Sequence, residues 1–198
     1  MDGGRMHSYK LIYFPIKGRA EAIRYVLEFG DIEYDDYRMP SGLWPELKPK
    51  TPFGSVPVLE IDGVQYAQSM AILRYAGKIT GLYPKESDIE ALYVDQFLAG
   101  FDDISSAIAA TNAAKSEEEK LEMRKNAADT KIKGTLTALN ALVKGDFVLG
   151  DSISIADVQL YVFMNLLKSG VYDGIPTTIF DSHSNLEKVY NSVHQHPK

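Results

Sequence analysis

The sequence predicts an α/β domain followed by an all-helical domain, and two observations support this. Strand-like and helix-like segments alternate over roughly the first 80 residues, whereas no strand-like run follows residue 85. The acidic excess that gives the chain its net charge of −6 also lies after residue 84. Because 198 residues suffice for two small domains, we predict one domain over residues 1–82 and a second over residues 83–198.

The first segments predict a βαβ unit. Residues 9–14, YKLIYF, form a nearly continuous apolar run that is typical of a buried strand. Apolar residues at helical spacing then continue to Gly30, where the glycine indicates a helix end. Residues 32–39 alternate enough to form a second strand. Since a helical crossover joins parallel strands, we expect these two strands to pair in parallel.

A loop, a hairpin and a helix are predicted next. Prolines and glycines between residues 40 and 54 indicate an irregular connection with about one helical turn. Asp62-Gly63 separates two β-rich runs within residues 55–67, which is a strong hairpin signal. Ser69 stands before an apolar stripe that ends at Gly81, and a serine at such a position is typical of a helix N-cap. The alternative is that this helix start receives an anionic ligand group.

The second domain contains three long helical segments, residues 89–110, 116–143 and 152–170. The last is almost wholly apolar, so we place it in the middle of the domain. Ser116, with Glu119 three residues later, has the pattern of a capping box.

Composition excludes several classes of function. With no cysteine, disulfides, thiolate metal ligands and a cysteine nucleophile are all excluded, and a cytoplasmic location fits. The negative charge argues against nucleic acid or an anionic membrane as the main partner. No apolar run reaches the roughly 18–20 residues of a membrane span. No histidine has convincing metal-ligand spacing, so we predict no metal site.

Residues 1–5 are either native or an addition before a natural start at Met6.

Two features have the chemistry of a ligand site. Tyr13 ends the first strand at the carboxyl edge of a parallel pair, where open α/β sheets bind ligands. A packed core tyrosine is the commoner alternative. Pro57 at a strand start indicates either a plain trans proline or a cis peptide that turns the backbone outward. In the second case the N–H and C=O of Val56 can pair with an extended, peptide-like ligand.

Residues 9–39, 43–63 and 68–78 together resemble the N-terminal domain of cytosolic glutathione transferases, and residues 152–161, SISIADVQLY, resemble the capping box and hydrophobic staple of their helical domain. The match is closest to the sigma class, which includes glutathione-dependent prostaglandin D synthase and the S-crystallins. The resemblance implies a thioredoxin-like domain and a helical-bundle domain that contributes the hydrophobic site and dimer interface. It further implies a homodimer that uses glutathione and requires no metal.

The resemblance assigns a role to each matching residue. Tyr13 looks like the catalytic tyrosine, whose O–H favours the thiolate by donating to the glutathione sulfur, and Arg19 like the arginine that assists it. The residues that resemble glutathione contacts are Trp44 and Lys48 for the glycine end, Val56 with cis Pro57 for the cysteinyl backbone, and Gln68 and Ser69 for the γ-glutamyl carboxylate. Across the dimer, the γ-glutamyl amine is expected to meet Asp103 of the partner subunit, or less favourably Asp102.

The expected reaction is thiolate attack on a hydrophobic electrophile, with peroxide reduction as a related activity. The alternatives are a specialised prostaglandin D isomerase and a non-catalytic ligand-binding or crystallin-like protein. Ala99 replaces a carboxylate of a metal-binding cluster found in some of the synthases, which ranks the isomerase lower. Ser55 replaces a Lys or Gln that often helps to hold glutathione. We expect the electrophile to contact Phe14, Ile104 and Ile108, and Phe53 to contribute to the dimer interface.

Overall fold

The computed structural model describes residues 7–197, and the chain divides into two compact units after Tyr83. The first unit contains four strands, β1 (Tyr9–Tyr13), β2 (Asp35–Arg38), β3 (Val58–Ile61) and β4 (Val64–Ala67). They form one mixed sheet in the order β2-β1-β3-β4, in which β1 is parallel to β2 and antiparallel to β3. The parallel β1–β2 pair confirms the predicted βαβ unit. The sequence left open whether residues 1–5 are native or precede a natural start at Met6, and these six residues lie outside the described part of the chain.

Three α-helices accompany the sheet. They are α1 (Glu21–Phe29), which a 3-10 turn precedes, α2 (Trp44–Leu47) and α3 (Ser69–Thr80). The apolar side chains of α1 at helical spacing are buried, which explains why this segment packs as a helix: Ala22, Ile23, Val26 and Leu27. Two further 3-10 turns flank α2, so the connection contains three short turns where about one was predicted.

The hairpin between β3 and β4 turns at the two residues that the sequence indicated. Asp62 has φ 50° and Gly63 has φ 83°. A two-residue hairpin turn with both φ angles positive matches the right-handed twist of its strands, and aspartate and glycine tolerate that conformation best. The strong hairpin prediction is therefore confirmed.

The N-cap prediction at Ser69 is wrong. Ser69 is the first residue of α3, and Gln68 occupies the N-cap position with φ 76° and ψ 104°. The side chain of Gln68 makes no capping hydrogen bond. At the other end, Gly81 adopts the left-handed conformation that was expected of a helix stop.

The second unit is all-helical over its described residues, as predicted. Its helices are α4 (Asp88–Ala110), α5 (Glu117–Ala127), α6 (Lys133–Leu142), α7 (Ile155–Lys168) and α8 (Ser184–His194), of which the sequence did not indicate α8. A π-helical turn joins α5 to α6 within the predicted helix over 116–143. Ser116 caps α5, but the carboxylate of Glu119 accepts the N–H of Lys115, so the predicted capping box is half formed.

Aromatic side chains from α4 and α7 form the centre of the helical unit. Phe101 lies 5.5 Å from Phe97 and 5.1 Å from Phe163, measured between ring centres. Most residues of α7 are buried, which agrees with its predicted central position. Burying a phenylalanine fully stabilises the unit by about 2 kcal/mol. No helix within residues 7–197 is long and apolar enough to cross a lipid bilayer.

A complete capping box begins α7. The carboxylate of Asp157 accepts the N–H of Val148 at 2.6 Å, and both the N–H and the hydroxyl of Ser154 at 2.7 Å. Asp157 is fully buried. Burial raises the pKa of the Asp157 carboxyl to about 6, although these hydrogen bonds act in the opposite direction.

This pKa makes the stability of the helical unit depend on pH. Because the folded pKa lies above the ordinary 3.8, the stability that protonation of Asp157 adds is fully present below about pH 4 and is lost as the pH rises through about 6. The hydrogen bonds that the carboxylate accepts are a separate contribution, which the ionised form retains. We expect the free energy of unfolding to fall by about 3 kcal/mol between those limits. Urea titrations at several pH values measure it. Asp157→Asn keeps the shape without titrating, and an equal pH dependence in this variant would contradict the assignment.

Candidate functional site

The register of the sheet brings three predicted site segments to one edge. Ile12, the neighbour of Tyr13 in β1, pairs with Val58 of β3. Val58 in turn pairs with Ala67, the last residue of β4. The end of β1, the start of β3 and the end of β4 therefore lie side by side. The residues at or next to these three positions are Tyr13, Val56-Pro57 and Gln68-Ser69.

The Tyr13 hydroxyl is held in place at this edge. The tyrosine is only 7% exposed, and its Oη accepts a hydrogen bond of 3.1 Å from the backbone N–H of Arg19. Since the oxygen accepts this bond, its own proton remains available to donate to a ligand. The side chain of Arg19 is exposed, so the structure shows contact with Tyr13 through the backbone. Electrostatic assistance by the guanidinium group stays a prediction.

Gly18 leaves the space that the hydroxyl occupies. Its φ is +47°, which L side chains rarely adopt. A Cβ atom at this position would lie 2.6 Å from Tyr13 Oη. Both the backbone conformation and the close approach therefore require glycine.

Gly18→Ala is expected to lower kcat/KM for the thiol conjugation that the sequence predicts by about tenfold to a hundredfold, because the new methyl group displaces the hydroxyl of Tyr13. Steady-state kinetics of the purified variant measure the effect. Gly81→Ala is the matched control, since Gly81 also has positive φ (+83°) but no atom lies within 4 Å of its added Cβ. Equal losses in the two variants would attribute the effect to backbone strain and contradict the displacement.

Aromatic rings extend the site from Tyr13 towards α2. The ring of Phe14 packs edge to face against both neighbours, 5.8 Å from Tyr13 and 5.5 Å from Trp44. Lys48 follows one turn later and is exposed, and its ammonium makes no ion pair with any residue that the structure describes. Tyr13, Phe14 and Trp44 are therefore contiguous, and the exposed Lys48 lies on the same short connection as Trp44.

The Val56-Pro57 peptide bond is cis, which decides between the two alternatives left by the sequence. Within residues 7–197, no backbone hydrogen bond joins Val56 to another residue outside the regular helices and strands. An N–H and a C=O at the start of β3 thus remain available. Such groups can hold the backbone of an extended ligand.

Gln68 is strained at the start of α3. A positive φ of 76° is uncommon for a residue other than glycine, and residues in sparsely populated conformations cluster at ligand sites. The first N–H groups of a helix have no partner inside the helix and lie at its positive end. Because no side chain caps these groups, the helix start is suited to a carboxylate, and the Ser69 hydroxyl remains available beside it.

The predicted site residues of the helical unit have different surroundings. Asp103 forms an ion pair of 2.6 Å with Lys131 of its own chain, and Asp102 is exposed. Ile104 is fully buried and Ile108 is 6% exposed, on the face of α4 that contains Phe101. A fully buried side chain offers no surface to a ligand, so the burial of Ile104 argues against a contact with the electrophile, and Ile108 offers little surface. Their place in an electrophile pocket stays a prediction. Among the described residues no three His, Asp or Glu side chains group as metal ligands.

Sequence reasoning missed Arg24 of α1, which is 3% exposed. Its Nε donates to Asp36 at 3.1 Å, and its Nη1 donates to Glu21 at 2.9 Å. Burial opposes the charge of the guanidinium, but these two carboxylates outweigh it and hold the pKa of Arg24 above its ordinary value. The sequence did contain a signal for a buried, paired arginine: Arg24 follows Ile23 directly and lies on the apolar face of α1.

A four-stranded mixed sheet with helices, followed by an all-helical unit, defines the thioredoxin-like two-domain class that the sequence predicted. The family model described as "Glutathione S-transferase, N-terminal domain" matches residues 9–78. The model described as "Glutathione S-transferase, C-terminal domain" matches residues 102–198.

Individual proteins are similar along most of the chain. Glutathione S-transferase 4 of Caenorhabditis elegans is 33% identical over 202 residues, covering 98% of this chain and 94% of the relative. Human hematopoietic prostaglandin D synthase is 36% identical over 153 residues, covering 77% and 75%. The structure of prostaglandin synthase D of Nilaparvata lugens has a TM-score of 0.85 at 29% identity, covering 96% and 94%. The chain therefore belongs to the glutathione S-transferase family, which confirms the predicted transferase.

Proposed function

We propose that the first unit binds glutathione at the sheet edge and that Tyr13 stabilises its thiolate for attack on a hydrophobic electrophile. The observation that carries this proposal is the hydrogen bond from the Arg19 N–H to Tyr13 Oη. It fixes the oxygen while leaving the phenolic proton to be donated. Family membership supports glutathione as the thiol.

The surrounding groups match the chemistry of a tripeptide with two carboxylates. The start of α3, with Gln68 and Ser69, suits the γ-glutamyl carboxylate because its N–H groups lack caps. Lys48, four residues after Trp44 on the same connection, suits the glycine carboxylate. The backbone of Val56, next to cis Pro57, suits the cysteinyl backbone.

The chemistry follows from thiol acidity. A free thiol has a pKa of about 8.5 and is only a few per cent ionised at neutral pH. A hydrogen bond from Tyr13 to the sulfur favours the charged form, and the released proton passes to water. The thiolate then forms a carbon–sulfur bond with the electrophile, and a leaving group departs when the reaction is a substitution. Phe14 provides apolar surface beside Tyr13. The same thiolate can attack the O–O bond of a hydroperoxide, which releases the alcohol and oxidises glutathione to its sulfenic acid; a second glutathione then forms the disulfide with loss of water.

The test is glutathione-dependent turnover of 1-chloro-2,4-dinitrobenzene, combined with calorimetric titration of glutathione. We expect saturable turnover and binding with one site per chain. Binding without turnover of this or any other electrophile would instead support the non-catalytic ligand-binding alternative. If glutathione does not bind, the proposed glutathione site itself is wrong.

A second candidate is glutathione-dependent isomerisation to prostaglandin D. Similarity to the human and Nilaparvata lugens prostaglandin D synthases supports it, and also supports the proposed sigma class. Ala99 still argues against the metal-dependent form of that activity. Product analysis after incubation with prostaglandin H and glutathione distinguishes an isomerase from a conjugating enzyme.

We also propose that the chain is a cytoplasmic homodimer. Each unit exposes apolar side chains, with Phe53 of the first unit 66% exposed and Ile89 and Leu92 of α4 72% and 63% exposed. Phe53 borders a cavity of about 540 Å³ in the first unit, which Tyr66 and Tyr75 also line. Exposed patches of this kind are typical of protein–protein interfaces. Sedimentation at several concentrations measures the oligomeric state, and a monomer would remove any role for Asp103 of the partner subunit.

A further inference from the structure

The guanidinium group of Arg24 joins three parts of the first unit. Besides Asp36 of β2 and Glu21 of α1, it reaches the connection that leaves β1. Its Nη1 donates to the carbonyl of Ile16 at 3.1 Å and to that of Lys17 at 3.3 Å. One buried side chain therefore fixes the backbone of residues 16–17 to the helix and to the neighbouring strand.

This connection leads directly to the group that holds the catalytic hydroxyl. Lys17 immediately precedes the 3-10 turn Gly18–Ala20. The N–H of Arg19, in that turn, donates to Tyr13 Oη. The position of the N–H depends on the two carbonyls that Arg24 holds, because only Gly18 separates Lys17 from Arg19.

Arg24 also faces Tyr13 itself. Its guanidinium carbon lies 5.9 Å from the centre of the tyrosine ring, within the range of a cation–π contact. The remaining nitrogen, Nη2, is buried without a hydrogen-bond partner in the part of the chain that the structure describes. Arg24 thus acts on Tyr13 by two routes, through the backbone that binds its oxygen and through its ring.

We infer that Arg24 is a positioning residue for the reaction. It orients the Tyr13 hydroxyl towards the glutathione sulfur by fixing residues 16–19, and it touches neither substrate nor sulfur. The inference rests on the proposed function, because it concerns how the tyrosine stabilises the thiolate. A purely structural role for Arg24 would change the stability of the protein and leave the acidity of the bound thiol unaltered.

The test is a pH titration of the thiolate of bound glutathione, followed by its ultraviolet absorbance, in the wild type and in Arg24→Met. We expect the pKa of the bound thiol to rise by about one unit. We further expect kcat/KM at neutral pH to fall about tenfold and to recover at alkaline pH, while the Kd for glutathione changes less than about threefold. Thermal unfolding and circular dichroism show whether each variant is folded.

Arg38→Met is the matched control. Arg38 donates to the same Asp36 carboxylate at 2.8 Å, but within residues 7–197 its guanidinium makes no hydrogen bond to residues 16–19 or to Tyr13. Arg38 meets Tyr13 only as its backbone partner in the β1–β2 pair, which the substitution retains. We expect a wild-type thiol titration in this variant. Arg24→Lys retains the buried charge, but a single ammonium cannot reproduce the hydrogen bonds that the guanidinium nitrogens donate. We therefore expect the pKa of the bound thiol to rise by about half as much as in Arg24→Met. This second variant decides the question if Arg24→Met does not fold.

Three outcomes separate the inference from the function on which it rests. A shifted thiol pKa in a folded Arg24 variant, with Arg38→Met unchanged, supports it. An unchanged thiol pKa in the folded Arg24 variants, together with a clear shift in Tyr13→Phe, overturns the positioning role alone. An unchanged thiol pKa in Tyr13→Phe as well overturns the proposed function, and the positioning role with it.

Discussion

Replacement of Tyr13 by phenylalanine is expected to raise the pKa of the bound glutathione thiol by about two units, which corresponds to about 2.7 kcal/mol of lost thiolate stabilisation. Only the phenolic oxygen is removed, so the packing of the ring against Phe14 is retained. At neutral pH, kcat/KM should fall by at least about tenfold, because a smaller fraction of the thiol is ionised. Glutathione binding should change little, since its carboxylates and backbone are held elsewhere.

Tyr9→Phe is the control for this experiment. Tyr9 begins the same strand that Tyr13 ends, and its hydroxyl lies 3.2 Å from that of Tyr75. The variant loses the same atom at the opposite end of β1, so its thiol titration and kcat/KM should match the wild type. If Tyr13→Phe keeps wild-type turnover with a wild-type thiol pKa, another group ionises the thiol and the proposed mechanism fails.

Asp157→Ala is expected to lower the free energy of unfolding by about 3 kcal/mol at neutral pH. The substitution removes the acceptor of three hydrogen bonds, and it leaves the N–H groups of Val148 and Ser154 without that partner. A buried donor without a partner costs about 1–3 kcal/mol. The variant also loses the connection between the start of α7 and the preceding loop. Urea denaturation followed by circular dichroism measures the loss.

Ser116→Ala provides the comparison at an exposed helix start. Ser116 caps α5 by accepting the N–H of Glu119 at 3.1 Å, and water can replace that bond. We expect a loss of about 1 kcal/mol. If Asp157→Ala cost no more than Ser116→Ala, burial of the capping box would contribute nothing to stability, contrary to the expectation.

The elements that the sequence predicted well have strong local patterns. The βαβ unit, the turn at Asp62-Gly63 and the apolar helix α7 each follow from residues that are close together in the chain. The cap of α3 was predicted wrongly because Ser69 and Gln68 are both polar, and sequence does not show which residue takes the non-helical conformation. Helix α8 was missed because its buried residues, Leu186 and Val189, are only two among polar neighbours.

The residues of the candidate site also divide into those that local sequence features indicated and those whose surroundings depend on packing. Position in the predicted elements already made Tyr13 and the helix start at Ser69 candidates, each with a structural alternative, and motif resemblance then assigned roles to Tyr13, Gln68 and Ser69. Ile104 was placed at a pocket as an apolar residue of the first long helix of the second domain. Which side of that helix is buried depends on the helices packed against it, and Ile104 is fully buried.

The sequence by itself determined the order of the two domains, the family and the residue type of the proposed catalytic group, since periodicity, turn residues and motifs are local properties of the chain. Tertiary structure alone decided how Tyr13 is held. The N–H of Arg19, the space at Gly18 and the guanidinium of Arg24 act on one hydroxyl through contacts that the fold creates. The physical reason is that a hydrogen bond requires an approach of about 3 Å, and this geometry is set only when the sheet, α1 and the connecting loop pack together.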